Sequence, residues 1–131
     1  MRWIIAYLAT AAVFLPLDFV WLTLTGGLYR RELGPLLLAQ PRLDAAILFY
    51  LIYLAGVVRF AVAPAVAARR WSLAGLNGAM FGFVAYATYD LTNLATLEGF
   101  SPLIVGADLA WGLVVTAIGA SAGYWAVRTW R

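Results

Sequence analysis

Long apolar runs alternate with short polar segments along this chain. The runs cover about residues 3–25, 43–66, 72–96 and 102–127. A helix needs roughly 20 apolar residues to cross a bilayer core of about 30 Å. The pattern therefore predicts an all-α fold, a bundle of four transmembrane helices that forms one integral membrane domain over residues 1–131.

Glycine, proline and serine mark where these helices are expected to begin and end. The glycine pair at 26–27 predicts the end of the first helix, and Pro64 predicts a bend in the second or its end near Arg69 and Arg70. Ser101 and Pro102 predict the start of the fourth helix, because a serine oxygen can cap free N–H groups and proline suits the first turn. The connection over 26–42 mixes leucines with arginines, which predicts a short interfacial helix, with an irregular loop as the alternative.

Composition agrees with a membrane setting. Hydrophobic residues make up 65% of the chain and charged residues 11%, whereas soluble domains have roughly half and about a quarter. The nine basic residues are all arginines in small groups, so we expect the lipid bilayer as a partner and no nucleic acid. Cysteine and histidine are absent, which excludes disulfides, thiolate or imidazole metal ligands, and Cys or His nucleophiles.

The arginines also predict an orientation. Five of them fall on the side of both termini and three on the other side: Arg2, Arg69, Arg70, Arg128 and Arg131 against Arg30, Arg31 and Arg42. Because Lys and Arg accumulate on the inner face of a membrane, the N- and C-termini are predicted to be cytoplasmic.

Three aspartates interrupt the apolar runs. They are Asp18, Asp90 and Asp108, on the first, third and fourth predicted helices. A charge at the bilayer centre costs about 3 kcal/mol even on the most lenient scale, so each aspartate requires a reason. At a rise of about 1.5 Å per residue, all three reach the outer half of the membrane. We therefore expect them to converge on one polar site.

Helical spacing adds partners to these acids, because residues three or four positions apart share a face. Trp21 aligns with Asp18, and Trp111 aligns with Asp108 at the same spacing on a helix of opposite direction. The other candidate site residues fall at a similar depth on the second and third helices: Tyr50, Tyr53, Tyr86 and Asn93. Two alternatives stay open: hydrogen bonds that serve helix packing alone, and interfacial anchoring by each tryptophan.

Three segments also carry a family resemblance: Asp18–Leu22 (DFVWL), Tyr86–Leu97 (YATYDLTNLATL) and Asp108–Gly112 (DLAWG). In them the chain resembles the bacterial membrane-protein family named domain of unknown function 2177, and the likeness covers the whole chain. The resemblance implies a small multi-helix protein of the bacterial cytoplasmic (inner) membrane. It implies no activity, and the cofactor stays unknown.

Three functions fit these residues. The leading hypothesis is binding or transport of a proton, a cation or a cationic small solute, because carboxyl groups in low dielectric exchange protons and attract positive charge. Such a small bundle is expected to work as a homo-oligomer.

The second hypothesis is a membrane enzyme that acts on a lipid or isoprenoid. Asp90 and Asp108 would then be an acid/base pair, or oxygen ligands of a divalent metal such as Mg²⁺, with Asp18 as a third ligand. The third hypothesis is an accessory subunit or assembly factor of a larger membrane complex, docked through its glycine-rich helix faces.

Overall fold

The computed structural model describes residues 1–130; Arg131, one of the arginines used to predict orientation, lies outside them. Four long helices follow one another: α1 (Arg2–Leu33), α2 (Leu43–Ala68), α3 (Trp71–Thr96) and α4 (Pro102–Val127). The described residues contain no strand. The predicted all-α, four-helix fold is confirmed.

Three of the helices are long and apolar enough to cross a membrane: α1 with the turn after it, α2 and α4. Helix α3 has 26 residues, as α4 does, but carries more polar side chains. It runs antiparallel along α4, from the ring contact of Trp71 with Trp125 to that of Tyr89 with Phe100. Helix α3 therefore extends alongside a membrane-spanning helix over most of its length.

Glycines bring the backbones of α3 and α4 together. A Cβ atom on Gly82 would collide with the carbonyl oxygen of Gly112, and one on Gly112 would collide with the ring of Tyr86. Small residues permit this approach, which is typical of packed membrane helices. The close packing fixes α3 against α4, and with it the polar residues that α3 carries.

The predicted end of the first helix at the glycine pair 26–27 is wrong. Helix α1 continues to Leu33, and its 32 residues extend over about 48 Å. The segment expected to be a separate interfacial helix thus begins as the last two turns of α1. In the remaining connection, Gly34–Leu36 forms a single 3₁₀ turn.

Tertiary contacts explain why α1 passes through two glycines, which disfavour helix by about 1 kcal/mol each. Leu33 packs in a small cluster with Phe100. The Ser101 hydroxyl donates a hydrogen bond of 2.9 Å to the carboxylate of Glu32. Ser101 also caps α4 as predicted, because its hydroxyl oxygen accepts from the N–H of Ile104 at 3.4 Å.

Helix α2 ends at Ala68, next to Arg69 and Arg70, as one of the two alternatives predicted, and Pro64 lies inside it. The helix is α-helical over Leu43–Val57, passes through a π turn over Val58–Val62, and resumes over Ala63–Ala68. Proline has no N–H to donate to the carbonyl four residues earlier, and a local π turn is one way in which a helix accommodates that loss.

Candidate functional site

The three acids expected to converge lie at one end of the bundle, which we call the acid end, defined by Asp18, Asp90 and Asp108. Asp18 and Asp108 line one cavity of about 560 Å³. Asp18 is 6% exposed and Asp90 is fully buried. Asp108 is six residues into α4 from Pro102, or about 9 Å along the helix. The structure therefore brings two of the acids to one cavity and places the third close by.

Asp18 is held by donors from two other helices. The indole Nε1 of Trp111 donates to its Oδ1 atom at 3.0 Å, and the Tyr50 hydroxyl donates to its Oδ2 atom. Both donors are neutral. In the described part of the chain, the salt bridge between Arg42 and Asp44 is the only one, so no arginine compensates the charge of Asp18.

Asp108 is reached from the end of α1. The Tyr29 hydroxyl donates to its Oδ1 atom at 2.6 Å, and the Trp21 indole donates to the Tyr29 oxygen at 3.3 Å. Tyr29 was not predicted as a site residue, because its segment was expected to lie outside the helix. The available signal was a pair of four-residue steps, from Trp21 to Thr25 and on to Tyr29, which share a face if the helix continues.

The two tryptophans stack at the centre of the acid end. Their ring centroids are 4.8 Å apart and the planes differ by 4°. In each Asp-x-x-Trp motif the tryptophan therefore interacts with the aspartate of the other motif: Trp111 donates to Asp18 directly, and Trp21 reaches Asp108 through Tyr29. Interfacial anchoring alone does not describe these side chains, since each indole N–H is used inside the bundle.

Asp90 lies in a different environment. It is 0% exposed, and neither of its carboxylate oxygens has a hydrogen-bond partner among residues 1–130. Its carboxyl group lies beside that of Asp108, but Asp90 does not line the cavity. Two adjacent carboxyl groups in low dielectric repel each other when both are ionised. Asp90 is therefore next to a residue of the cavity wall without being part of that wall.

The cavity wall around the two acids is aromatic. Six aromatic side chains line it: Trp21, Tyr29, Phe49, Tyr50, Tyr86 and Tyr89. No basic residue lines it. Its lining also includes exposed apolar residues, with Leu22 of α1 51% exposed and Phe49 of α2 46% exposed. The site is thus an acidic, aromatic-walled cavity whose lining includes exposed apolar side chains.

Four predicted site residues lie outside this lining: Asp90 and Trp111, described above, and Tyr53 and Asn93. Tyr53 is buried among the helices, where its hydroxyl shares a 2.8 Å hydrogen bond with that of Thr116. Asn93 is partly exposed, one turn beyond Asp90 on α3. Tyr50 and Tyr86, in contrast, line the cavity. Tyr53 therefore belongs to the packed interior.

The conditional metal set of Asp18, Asp90 and Asp108 is not formed. No group of three acidic side chains that could hold a metal ion occurs in residues 1–130. The placement of Asp90 agrees with this, since it does not line the cavity that Asp18 and Asp108 share. What the arrangement can do is attract positive charge across an aromatic surface.

Comparison with known proteins agrees with a membrane setting. The sequence model of one family, described as "Predicted membrane protein (DUF2177)", matches residues 3–125. No curated protein and no solved structure matches the chain. The match covers all four helices, and its description names no ligand and no reaction.

Proposed function

We propose, for a chain that belongs to the DUF2177 family of predicted membrane proteins, that it binds a small organic cation in the cavity between Asp18 and Asp108. One observation carries this proposal: two carboxylates and six aromatic side chains line a cavity that no arginine lines. An uncompensated negative charge inside a membrane helix is expensive, and a bound cation would offset that cost.

The aromatic wall favours an organic cation over a bare metal ion. Aromatic faces attract substituted ammonium groups, and cages of this kind recognise quaternary ammonium ligands. Asp18 would act through its charge, because a quaternary ammonium group has no N–H to donate to a carboxylate. A cavity of about 560 Å³ has the size usual for small-molecule sites, roughly 300–1,000 Å³.

Exposed apolar side chains and the arginine distribution support a location for this ligand. Leu22 and Phe49 are exposed parts of the cavity lining, which suits a cation that carries an apolar group and enters from the bilayer. Because more arginines lie on the side of the termini, the acid end would face the outer leaflet of a bacterial cytoplasmic membrane.

A second candidate, proton binding or transfer, is supported by Asp90. Its buried carboxyl group lies beside Asp108, and Asp108 is bonded to Tyr29 at the cavity wall. A proton shared by the two carboxyl groups would relieve their repulsion. It would pass to the cavity through Asp108.

The test uses the full chain in lipid nanodiscs and the probe benzyltrimethylammonium, titrated by calorimetry. We expect Asp18→Asn to weaken the affinity roughly 10- to 100-fold, because hydrogen bonds and contacts to charged groups contribute about 1.5–3 kcal/mol. The matched control is Asp44→Asn, the same change at a carboxylate that is 71% exposed, which should leave the affinity unchanged.

Two results would contradict the organic-cation proposal: unaltered affinity in Asp18→Asn, or equal binding of the neutral N,N-dimethylbenzamide. A pH-sensitive dye inside liposomes tests the second candidate. If the protein takes up protons, Asp90→Asn abolishes that uptake, and benzyltrimethylammonium does not bind, the ligand is the proton and not an organic cation.

A further inference from the structure

A second charged cavity lies at the opposite end of the bundle. It has a volume of about 620 Å³ and is lined by Arg2, Arg69 and Arg128, which come from the start of α1, the end of α2 and the end of α4. We call this the arginine end. No acidic residue lines the cavity. Among the described residues the single salt bridge, Arg42 to Asp44, lies elsewhere, so these three arginines have no acidic partner.

Aromatic rings and backbone hold two of the guanidinium groups in place. Arg2 lies 4.3 Å from the ring centroid of Trp3 and donates to the carbonyl of Trp130 at 3.4 Å. Arg128 lies 4.0 Å from the ring centroid of Trp125. A guanidinium group that stacks on a ring keeps its N–H donors available at its edge, and that edge matches the oxygens of a phosphate.

Arg69 completes the cavity in an unusual backbone conformation. It has a φ of 56° and a ψ of 38°, directly after the last turn of α2. Glycine adopts this left-handed region readily, whereas a residue with a Cβ atom does so at a cost. The conformation ends α2 and places Arg69 in the lining with Arg2 and Arg128.

A largely apolar groove continues from this cavity along the bundle. Its volume is about 580 Å³, and its lining includes Tyr7 on α1, Ala55 on α2 and one charged residue, Arg59. Trp3 and Ala63 line both spaces, so the groove and the basic cavity adjoin. The combination is a basic cavity at the helix ends with a largely apolar groove along α1 and α2.

We infer that the arginine end binds one anionic phospholipid of the surrounding bilayer. Its phosphate contacts Arg2, Arg69 and Arg128, and one acyl chain lies in the groove beside Ala55. Charge complementarity carries the headgroup assignment, since three arginines that have no acidic partner within residues 1–130 meet in one cavity. Basic pockets between membrane helices bind anionic headgroups through the same chemistry. This inference does not depend on what the acid end binds.

Native mass spectrometry of the full chain tests the inference, with phosphatidylglycerol and phosphatidylcholine offered in equal amounts. We expect one retained phosphatidylglycerol per chain. The triple variant Arg2→Gln, Arg69→Gln, Arg128→Gln should bind phosphatidylglycerol at least about tenfold more weakly. The change removes all three positive charges that would attract the anionic headgroup. The matched control changes the same number of arginines at the other end of the bundle: Arg30→Gln, Arg31→Gln and Arg42→Gln.

The groove has its own variant. Ala55→Trp fills the largely apolar groove at an exposed position and leaves all three arginines in place. It should weaken retention of phosphatidylglycerol several-fold without shifting the unfolding midpoint. Equal loss in both triple variants would show a net-charge effect and overturn the inference. So would equal retention of phosphatidylcholine, or displacement of the lipid by millimolar inorganic phosphate.

Discussion

At the acid end, charged groups lie inside the helix bundle and accept hydrogen bonds from tryptophan and tyrosine; at the arginine end, charged groups lie at the helix ends, over tryptophan rings. Asp18 accepts from Trp111 at 3.0 Å and is 6% exposed. Arg128 lies 4.0 Å from the ring centroid of Trp125 and is exposed. Tryptophan thus interacts with a negative group at the acid end through its indole N–H, and with a positive group at the arginine end through the face of its ring.

The two ends also depend on different helices. Helix α3 contributes Ala85, Tyr86 and Tyr89 to the acidic cavity and no residue to the basic one. A buried acid needs its surroundings intact, because an unpaired charge in the bundle is expensive. An arginine at a helix end can reach water or headgroups by moving its long side chain. Damage to the packing of α3 should therefore affect the acid end alone.

Gly112→Val should give the largest effect. The Cβ atom of the valine would clash with the ring of Tyr86, so α3 must move away from α4. We expect a loss of about 3 kcal/mol in the free energy of unfolding and no measurable binding of benzyltrimethylammonium. Phosphatidylglycerol retention should survive.

The matched control for that change is Gly106→Val on the same helix, where a Cβ atom meets nothing within 4 Å. It adds the same β-branched side chain without a collision. If both valine variants lose cation binding equally, the packing of Tyr86 on Gly112 does not position the acidic cavity.

Trp111→Phe sharpens the comparison at a single hydrogen bond. It keeps an aromatic ring beside Trp21 but removes the indole N–H that Asp18 accepts. Without this donor Asp18 is no longer held in its position at the cavity, and we expect roughly a tenfold loss in cation affinity, equivalent to about 1.4 kcal/mol. Trp125→Phe at the arginine end is the control, and titration calorimetry on both variants should show a change in the first alone.

Asp90→Asn should change the stability in the opposite direction. The asparagine side chain would be neutral and could donate to Asp108, which relieves the contact between the buried carboxyl group of Asp90 and that of Asp108. We expect the free energy of unfolding to rise by about 1 kcal/mol, as is usual when a strained functional group is replaced. Denaturant titration in detergent measures this, and a clear destabilisation would show that Asp90 is a structural partner.

Gly26→Ala and Gly27→Ala should give the smallest effect, a gain of roughly 0.5 kcal/mol each. Both positions are helical, and a Cβ atom there meets nothing within 4 Å. Gly99→Ala is the contrasting control, since its φ of 76° disfavours alanine. If alanine at 26 and 27 lowers the unfolding midpoint, α1 does not continue to Tyr29 and Asp108 lacks its tyrosine donor.

Much of the fold follows from the apolar runs and the local start signals. The bounds of α3 and α4 agree with their predicted ranges to within a residue, and Ser101 caps α4 as its chemistry indicates. The end of α1 does not follow, because glycine favours a helix stop locally. Long-range contacts of Leu33 and Glu32 with the start of α4 decide the matter, and no local pattern contains them.

The candidate site divides along the same line. Spacing on single helices predicted Asp18 with Trp21, Asp108 with Trp111, and the depth of Tyr50. The hydrogen bonds between side chains of different helices could not be predicted, because they depend on how each helix is rotated about its axis when the helices pack together. Trp111 donates to Asp18 on α1 and not to Asp108 on its own helix. Asp108 instead accepts from Tyr29, which follows the glycine pair on α1, and Tyr53 shares a hydrogen bond with Thr116.

The central claim, that the two ends hold ligands of opposite charge, is tested most directly by one crossed binding measurement. Affinities for benzyltrimethylammonium and phosphatidylglycerol are measured for two variants: the double change Asp18→Asn with Asp108→Asn, and the triple glutamine change at Arg2, Arg69 and Arg128. We predict that the first loses the cation and keeps the lipid, and that the second does the reverse. Loss of both ligands in either variant, or of neither in both, would contradict the claim.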